Sequence, residues 1–153
     1  MFKGKIYITL LFLLIASCGY SPIYSNLENK NLNIKVENFE GDRNINNLIK
    51  DKLNKYKSVN AEKTYLVKIT TDYEKLILSK DTAGLITNYR LTSNVNFDVT
   101  YKNLSKTINV KEKFDIKKGD SLFEDQKYEN LIKQNMANLS VQKFIFQLLR
   151  IEW

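Results

Sequence analysis

The chain has 153 residues and a formal net charge of +7, and 43% of its residues are hydrophobic and 27% charged. This length and composition indicate one folded domain with a real core and exclude a disordered chain. The sequence contains no histidine, the commonest general base and metal ligand, and only one cysteine. Nearly all familiar catalytic triads and zinc sites are therefore excluded.

The N-terminus has the features of a lipoprotein signal peptide. Two lysines precede an apolar run over residues 6–15, which is too short to span a bilayer. The run leads into Ile15-Ala16-Ser17-Cys18, which has the form of a lipobox. We therefore expect residues 1–17 to be removed and the single cysteine, Cys18, to carry a covalent lipid, with no other cofactor.

The residue after the lipidation site predicts the destination. In bacteria an Asp there tends to retain a lipoprotein in the inner membrane, so Gly19 predicts the outer membrane, with the protein on its periplasmic face. Nucleic acid is absent from that compartment and is not an expected partner, although the lysines could also reflect a compositional bias. Residues 18–30 read as a lipidated tether and residues 31–153 as a single domain.

The first part of this domain is predicted to be a strand followed by a helix. Residues 32–36 alternate apolar and polar side chains, which is typical of a strand. Gly41-Asp42 then ends the strand pattern, and Asp42 is expected to cap a helix. Over residues 45–56 the apolar side chains recur three and four positions apart, which predicts an amphipathic helix of about four turns.

Two long strands follow, over residues 64–79 and 85–101. The second is the most regular, because its odd positions are largely apolar and its even positions from Asn88 onward are polar. Side chains alternate along a strand, so this strand has one apolar and one polar face. It would span about 50 Å. In the first, the apolar phase changes before Leu76, which predicts a bulge near Glu74-Lys75 or, otherwise, a segment covered on both faces.

The last strand and the last helix complete the pattern. Apolar residues at 108, 110, 114 and 116 share one face, and Glu112 interrupts it, which places this strand near an edge. Asp120 or Ser121 is expected to cap the last helix, with Glu124 closing a capping box. An apolar stripe that includes Tyr128 and Leu131 runs along this helix, and residues 144–149 are apolar nearly all round. That end should therefore be buried on two sides, by the sheet and by either the first helix or a partner.

The order β-α-β-β-β-α predicts an α/β, two-layer sandwich with a four-stranded mixed sheet and both helices on one face. Its other face would be polar, either merely solvated or suited to sugars and phosphates. Seven polar side chains are expected on it: Lys68, Asn88, Arg90, Asn94, Asn96, Lys111 and Lys113.

The sequence gives little support to catalysis. Glu124-Asp125 falls in the first turn of a helix, where acids interact favourably with the dipole. Ser79-Lys80 is the one pair that could form a nucleophile and base, but adjacency in sequence does not place the two groups together. We therefore expect that the protein is not an enzyme.

Several short segments resemble the LptE family of LPS-assembly lipoproteins. Residues 18–24 (CGYSPIY) are similar to the start of mature family members. Residues 80–83 (KDTA), 89–91 (YRL) and the alternation over 95–99 resemble the family's central hairpin, and residues 131–136 resemble its C-terminal helix. The resemblance extends from the leader to the end of the chain.

The resemblance implies a protein that plugs the β-barrel LPS translocon of the outer membrane (LptD), helps that barrel assemble and binds LPS. In the family, basic residues between the central strands and before the last helix are linked to LPS contact. The nearest candidates here are Lys80, Arg90, Lys117 and Lys118. Before the last helix, Glu124-Asp125 stands where a basic residue would be expected.

Two other functions stay open at this stage. One is a different outer-membrane-anchored periplasmic lipoprotein, an accessory of barrel assembly or of lipid traffic. The other is a lipid-anchored hydrolase, which would need a cleft and an activated nucleophile near Ser79 and Lys80.

Overall fold

The computed structural model describes residues 32–58 and 61–153. Its elements are β1 (Leu32–Gly41), α1 (Arg43–Leu53), a 3₁₀ turn (Asn54–Tyr56), β2 (Lys63–Lys80), β3 (Ile86–Tyr101), β4 (Leu104–Lys117) and α2 (Leu122–Arg150). The sheet has the order β1-β2-β3-β4, with β1 and β2 parallel and the other pairs antiparallel. This architecture confirms the predicted α/β fold with a four-stranded mixed sheet and two helices.

Both helices pack on the face of the sheet that holds the apolar side chains. At the centre of this core, the ring of Phe97 from β3 stacks on that of Phe144 from α2 with centroids 4.1 Å apart. Helix α2 also packs against α1, so the first helix covers the second side of its apolar C-terminal half. Glu112 is buried on this face of the edge strand β4, and its Oε1 lies 2.6 Å from Lys143 Nζ of α2.

The N-terminal predictions lie outside the described residues. They are the signal peptide (1–17), the lipidated Cys18 and the tether (18–30). None of the described helices combines the length and the apolar character needed to cross a membrane.

The predicted bulge near Glu74-Lys75 is wrong. Strand β2 pairs with β3 without interruption from Leu66 to Ile77, and the register shifts only beyond Ile77. The alternative, that both faces are covered there, is also wrong, because Leu76 and Leu78 are 45% and 41% exposed. The change of apolar phase in the sequence therefore marks an exposed apolar segment.

A compact polar joint connects β1 to α1. The Asp42 carboxylate caps α1 as predicted, accepting a hydrogen bond of 2.8 Å from the Ile45 N–H. The buried Thr71 hydroxyl lies 2.9 Å from Asn46 Oδ1. Gly41 has a φ of +91°, and a Cβ at this position would overlap the carbonyl oxygen of Thr71. The joint thus requires glycine for both its backbone conformation and its close contact.

We expect the substitution Gly41→Ala to lower the free energy of unfolding by about 2–4 kcal/mol, because it adds a steric overlap to an unfavourable φ. Gly84→Ala is the matched control, since Gly84 also has a positive φ (+82°) but no atom within 4 Å of the added Cβ. It should cost about 1 kcal/mol. Urea unfolding measures both, and equal losses would show that the contact with Thr71 contributes nothing.

Candidate functional site

Three segments meet at one end of the sheet, which we call the distal end: residues 76–88 of the β2–β3 hairpin, residues 115–118 and residues 122–131 of α2. The hairpin turn is fixed by Asp81, whose carboxylate accepts hydrogen bonds from the N–H groups of Ala83 (2.9 Å) and Leu85 (2.8 Å). Strand β4 reaches this end because Lys117 pairs with Asn88. Helix α2 begins five residues after Lys117, capped by Ser121 as predicted.

The structure brings Lys80, Lys117 and Lys118 to the distal end and places Arg90 at its border, where it pairs with Leu76 and Asp115. Lys80 ends β2, opposite Ile86, and Lys117 ends β4, opposite Asn88 and two positions from the partner of Arg90. Lys118 follows directly, and its N–H donates a hydrogen bond of 2.8 Å to the carbonyl oxygen of Thr87. Residues that are far apart in sequence thus share one end of the sheet because of the strand register.

Arg90 differs from the three lysines in its surroundings. Its guanidinium forms two hydrogen bonds to the Asp115 carboxylate, at 2.7 and 2.8 Å. This contact raises the pKa of Arg90 and lowers that of Asp115. In contrast, none of the acidic side chains in the described residues forms an ion pair with Lys80, Lys117 or Lys118, so the uncompensated positive charge lies on the lysines.

The distal end also exposes large apolar side chains. All but one of the exposed large hydrophobic residues in the described part of the chain lie here: Leu76, Ile77, Leu78, Leu85, Leu122, Phe123, Tyr128 and Leu131. The most exposed are Leu122 (78%) and Phe123 (74%). Tyr128 and Leu131, at the start of the predicted apolar stripe, are therefore outside the core, and the first fully buried member of the stripe is Met136. Exposed apolar side chains concentrated at one end of a domain favour an interaction surface there.

A partly buried cluster of charged side chains holds the first half of α2 against the sheet. Glu129 lies between Lys75 of β2, with Nζ 2.7 Å from Oε2, and Lys133, with Nζ 2.9 Å from Oε1. The Tyr73 hydroxyl donates a hydrogen bond of 2.8 Å to the same carboxylate. Burial raises the pKa of Glu129, but the hydrogen bonds from Lys75, Lys133 and Tyr73 outweigh it and lower the pKa to about 2. Burial, and then the bond to Glu129, raise the pKa of Tyr73.

This cluster was not predicted from the sequence. Its only local signal is the spacing of Glu129 and Lys133, which are one helical turn apart. The two strand residues join it through the packing of α2 on β2. Both lysines also lie over aromatic rings, Lys75 4.3 Å from the centroid of Tyr89 and Lys133 4.2 Å from that of Tyr73.

Much of the remaining polar face is occupied by hydrogen bonds within the sheet. Asn109 Nδ2 donates to Asn94 Oδ1 at 2.8 Å and lies 2.6 Å from Asn96 Oδ1. These amides bond to one another across β3 and β4, which agrees with a solvated face. The lysines at 68, 111 and 113 are exposed on the same strands.

The Ser79-Lys80 pair has no catalytic geometry. The Ser79 hydroxyl lies 2.6 Å from Thr87 Oγ1, and it accepts a hydrogen bond of 2.6 Å from Asn88 Nδ2. The serine is thus bonded across the hairpin and not to its neighbour. In the described residues, no group of three or more Asp, Glu, His or Cys side chains is arranged to hold a metal ion.

Comparisons with known proteins agree on one relationship. The family model LptE, lipopolysaccharide-assembly, matches residues 32–148. The crystal structure of rare lipoprotein B from Shewanella oneidensis is similar with a TM-score of 0.54 and 17% identity, over 74% of this chain and 94% of that chain. The solution structure of an uncharacterized lipoprotein B from Nitrosomonas europaea is similar with a TM-score of 0.53 and 18% identity, over 77% of this chain and 84% of that chain. These two similarities are similarities of fold. No curated protein matches by sequence.

We expect Glu129→Gln to lower the free energy of unfolding at neutral pH by about 1–3 kcal/mol, because Lys75 and Lys133 lose their carboxylate. The pKa of Glu129 in the folded state, about 2, lies below its ordinary value of 4.5. The ionised carboxylate therefore stabilises the fold above pH 4.5, and this contribution is lost as the pH falls towards 2.

Urea unfolding across this pH range measures the difference. The unsubstituted protein should lose its advantage over the variant between pH 4.5 and 2. Glu74→Gln, which changes an exposed carboxylate on the other face of β2, is the control and should leave the pH dependence unchanged. If the difference in free energy of unfolding between the Glu129 variant and the unsubstituted protein stayed constant with pH, ionisation of Glu129 would not stabilise the fold.

Proposed function

Because the chain belongs to the LptE family of lipopolysaccharide-assembly proteins, we propose that it is a lipoprotein that partners and plugs the β-barrel LPS translocon of the outer membrane. In this role it aids assembly of the barrel and delivery of LPS to the outer leaflet, and it is not an enzyme. The covalent lipid on Cys18 anchors it to the periplasmic face of the membrane, since two or three acyl chains bind firmly.

One observation carries the proposal that LPS is the ligand: positive charge and exposed apolar surface coincide at the distal end. LPS presents phosphate groups beside acyl chains. Lys80, Lys117 and Lys118 supply ammonium groups for the phosphates, and Leu122 and Phe123 supply apolar surface for the chains. Arg90 is a weaker candidate for direct contact because it is paired with Asp115.

The architecture also supports the role of a plug. The two helices and the apolar core lie on one side of the sheet, and the other side is polar. The interior of an outer-membrane barrel is polar and water-filled, so a sheet with a hydrated face can occupy it without exposing its core. The tether would hold the domain at the membrane where the barrel is inserted.

We expect the double substitution Lys117→Glu/Lys118→Glu to weaken LPS binding about tenfold or more, because two attractive charges at the distal end become repulsive. The measurement is a titration of LPS into the purified full chain in an uncharged detergent. Lys111→Glu/Lys113→Glu makes the same change of charge further back along β4, away from the distal end, and should reduce binding about twofold at most. Equal losses for the two variants would show that only net charge matters.

Depletion of the protein in cells should leave the barrel misassembled and LPS stranded in the periplasm. Pull-down of the protein from solubilised outer membrane should recover the LPS translocon. Recovery of a different barrel, with normal LPS at the cell surface, would instead identify an accessory of general barrel assembly or lipid traffic. This result would exclude the proposed partner even if the distal end binds LPS in solution.

A further inference from the structure

A groove runs along the outer edge of β1, away from the distal end. Its volume is about 270 Å³, and its accessible apolar surface comes from Val36 and Phe39 of β1, which are half-buried and lie over the fully buried Ile34 and Leu53. Lys35 pairs with Leu66, which in turn pairs with Thr100 near the far end of β3. The groove is therefore separate from the residues to which LPS binding is assigned.

The groove combines a strand edge with a helical wall. Strand β1 is the terminal strand of the sheet, and none of the described residues pairs with its outer edge. On either side of a bulge at Glu37, this edge presents backbone N–H and C=O groups to an added strand. Helix α1 borders the groove through Lys50 and Leu53, and the 3₁₀ turn that follows it does so through Asn54. An added strand would therefore place alternate side chains between β1 and the helix.

The charge of the groove is entirely positive. Lys35, Lys50 and Lys57 line it, no acidic residue does, and none of the three forms an ion pair within the described residues. All three are exposed, so their ammonium groups are free to meet carboxylates. The apolar surface and the lysines together favour a ligand that alternates apolar and acidic side chains.

We propose that this groove binds an extended acidic segment of a protein partner by strand addition to β1. The backbone of the segment pairs with the outer edge of the strand. Its apolar side chains pack on Val36 and Phe39, and its carboxylates, on the opposite face of the added strand, lie against Lys35. Lys50 and Lys57 attract the acidic segment from the helical side of the groove. The site depends on neither LPS binding nor the identity of the barrel.

The test uses a short fluorescent peptide of alternating Val and Glu, titrated into the purified full chain in an uncharged detergent and followed by anisotropy. Saturable binding is expected. A version of the peptide that is N-methylated at alternate residues cannot form the backbone ladder and should bind about tenfold more weakly. A Val-Lys peptide should also bind about tenfold more weakly because of its charge.

Substitutions in the chain locate the site. Lys50→Glu/Lys57→Glu should weaken binding of the Val-Glu peptide about tenfold, whereas Lys111→Glu/Lys113→Glu should change it about twofold at most. Both pairs consist of exposed residues, and urea unfolding checks that each variant is folded.

Three results would overturn the proposal. One is the absence of saturable binding, which would indicate that the lysines at this edge serve only to prevent aggregation. Another is equal binding of the N-methylated peptide, which would indicate attraction of charge without strand pairing. The third is self-association of the chain that Lys50→Glu/Lys57→Glu abolishes and the peptide does not compete with, because it would identify a second copy as the occupant.

Discussion

The alternation of side chains along β3 is the constraint on which the rest of the structure depends. This strand pairs with β2 on one side and β4 on the other over nearly its whole length, so its register aligns the faces of three strands. Val95, Phe97 and Val99 are fully buried on one face, while the polar side chains between them, Asn96 and Asp98, point to the other. A shift of one residue would exchange the two faces. Both helices must therefore lie on the same side of the sheet.

The interactions beneath α2 change in character along the helix. At its C-terminal half the core is apolar, as in the stacking of Phe97 on Phe144. Towards the distal end, the Glu129 cluster with Lys75, Lys133 and Tyr73 takes over, and beyond it Leu122 and Phe123 are exposed. The helix is thus anchored by packing at one end and by hydrogen-bonded charges nearer the other, which leaves the apolar side chains of its first turn exposed.

The fold could be predicted from the sequence because its signals are local. The alternation in β3, the caps at Asp42 and Ser121 and the helical spacing after Ile45 each involve residues within a few positions of one another. Such patterns show on which face of a strand or helix a residue lies, but they do not show whether another element covers that residue. Leu76 and Tyr128 are exposed, and no pattern could have shown this, because an apolar side chain has the same parity or spacing whether or not a neighbour lies above it.

The candidate site could be predicted only in part. The resemblance to the LptE family indicated Lys80, Arg90, Lys117 and Lys118, and the strand register explains why these residues lie towards the same end of the sheet. The pairing of Arg90 with Asp115 and the assembly of the Glu129 cluster depend on contacts between elements that are distant in sequence. Patterns within single segments carry no information about such contacts.

The two halves of the sheet differ in how far apart their partners lie along the chain. Strands β2, β3 and β4 form a meander joined by short turns, whereas Asn33 contacts Thr64, 31 residues away, across the crossover through α1. Closing the longer loop costs more chain entropy. The meander is therefore expected to form early in folding, and β1 to dock late, through the tight joint at Gly41. Strand β1, which borders the proposed peptide groove, would then also be the first strand to detach on unfolding. A peptide bound in the groove would hold this strand in place and so lengthen the lifetime of the native state.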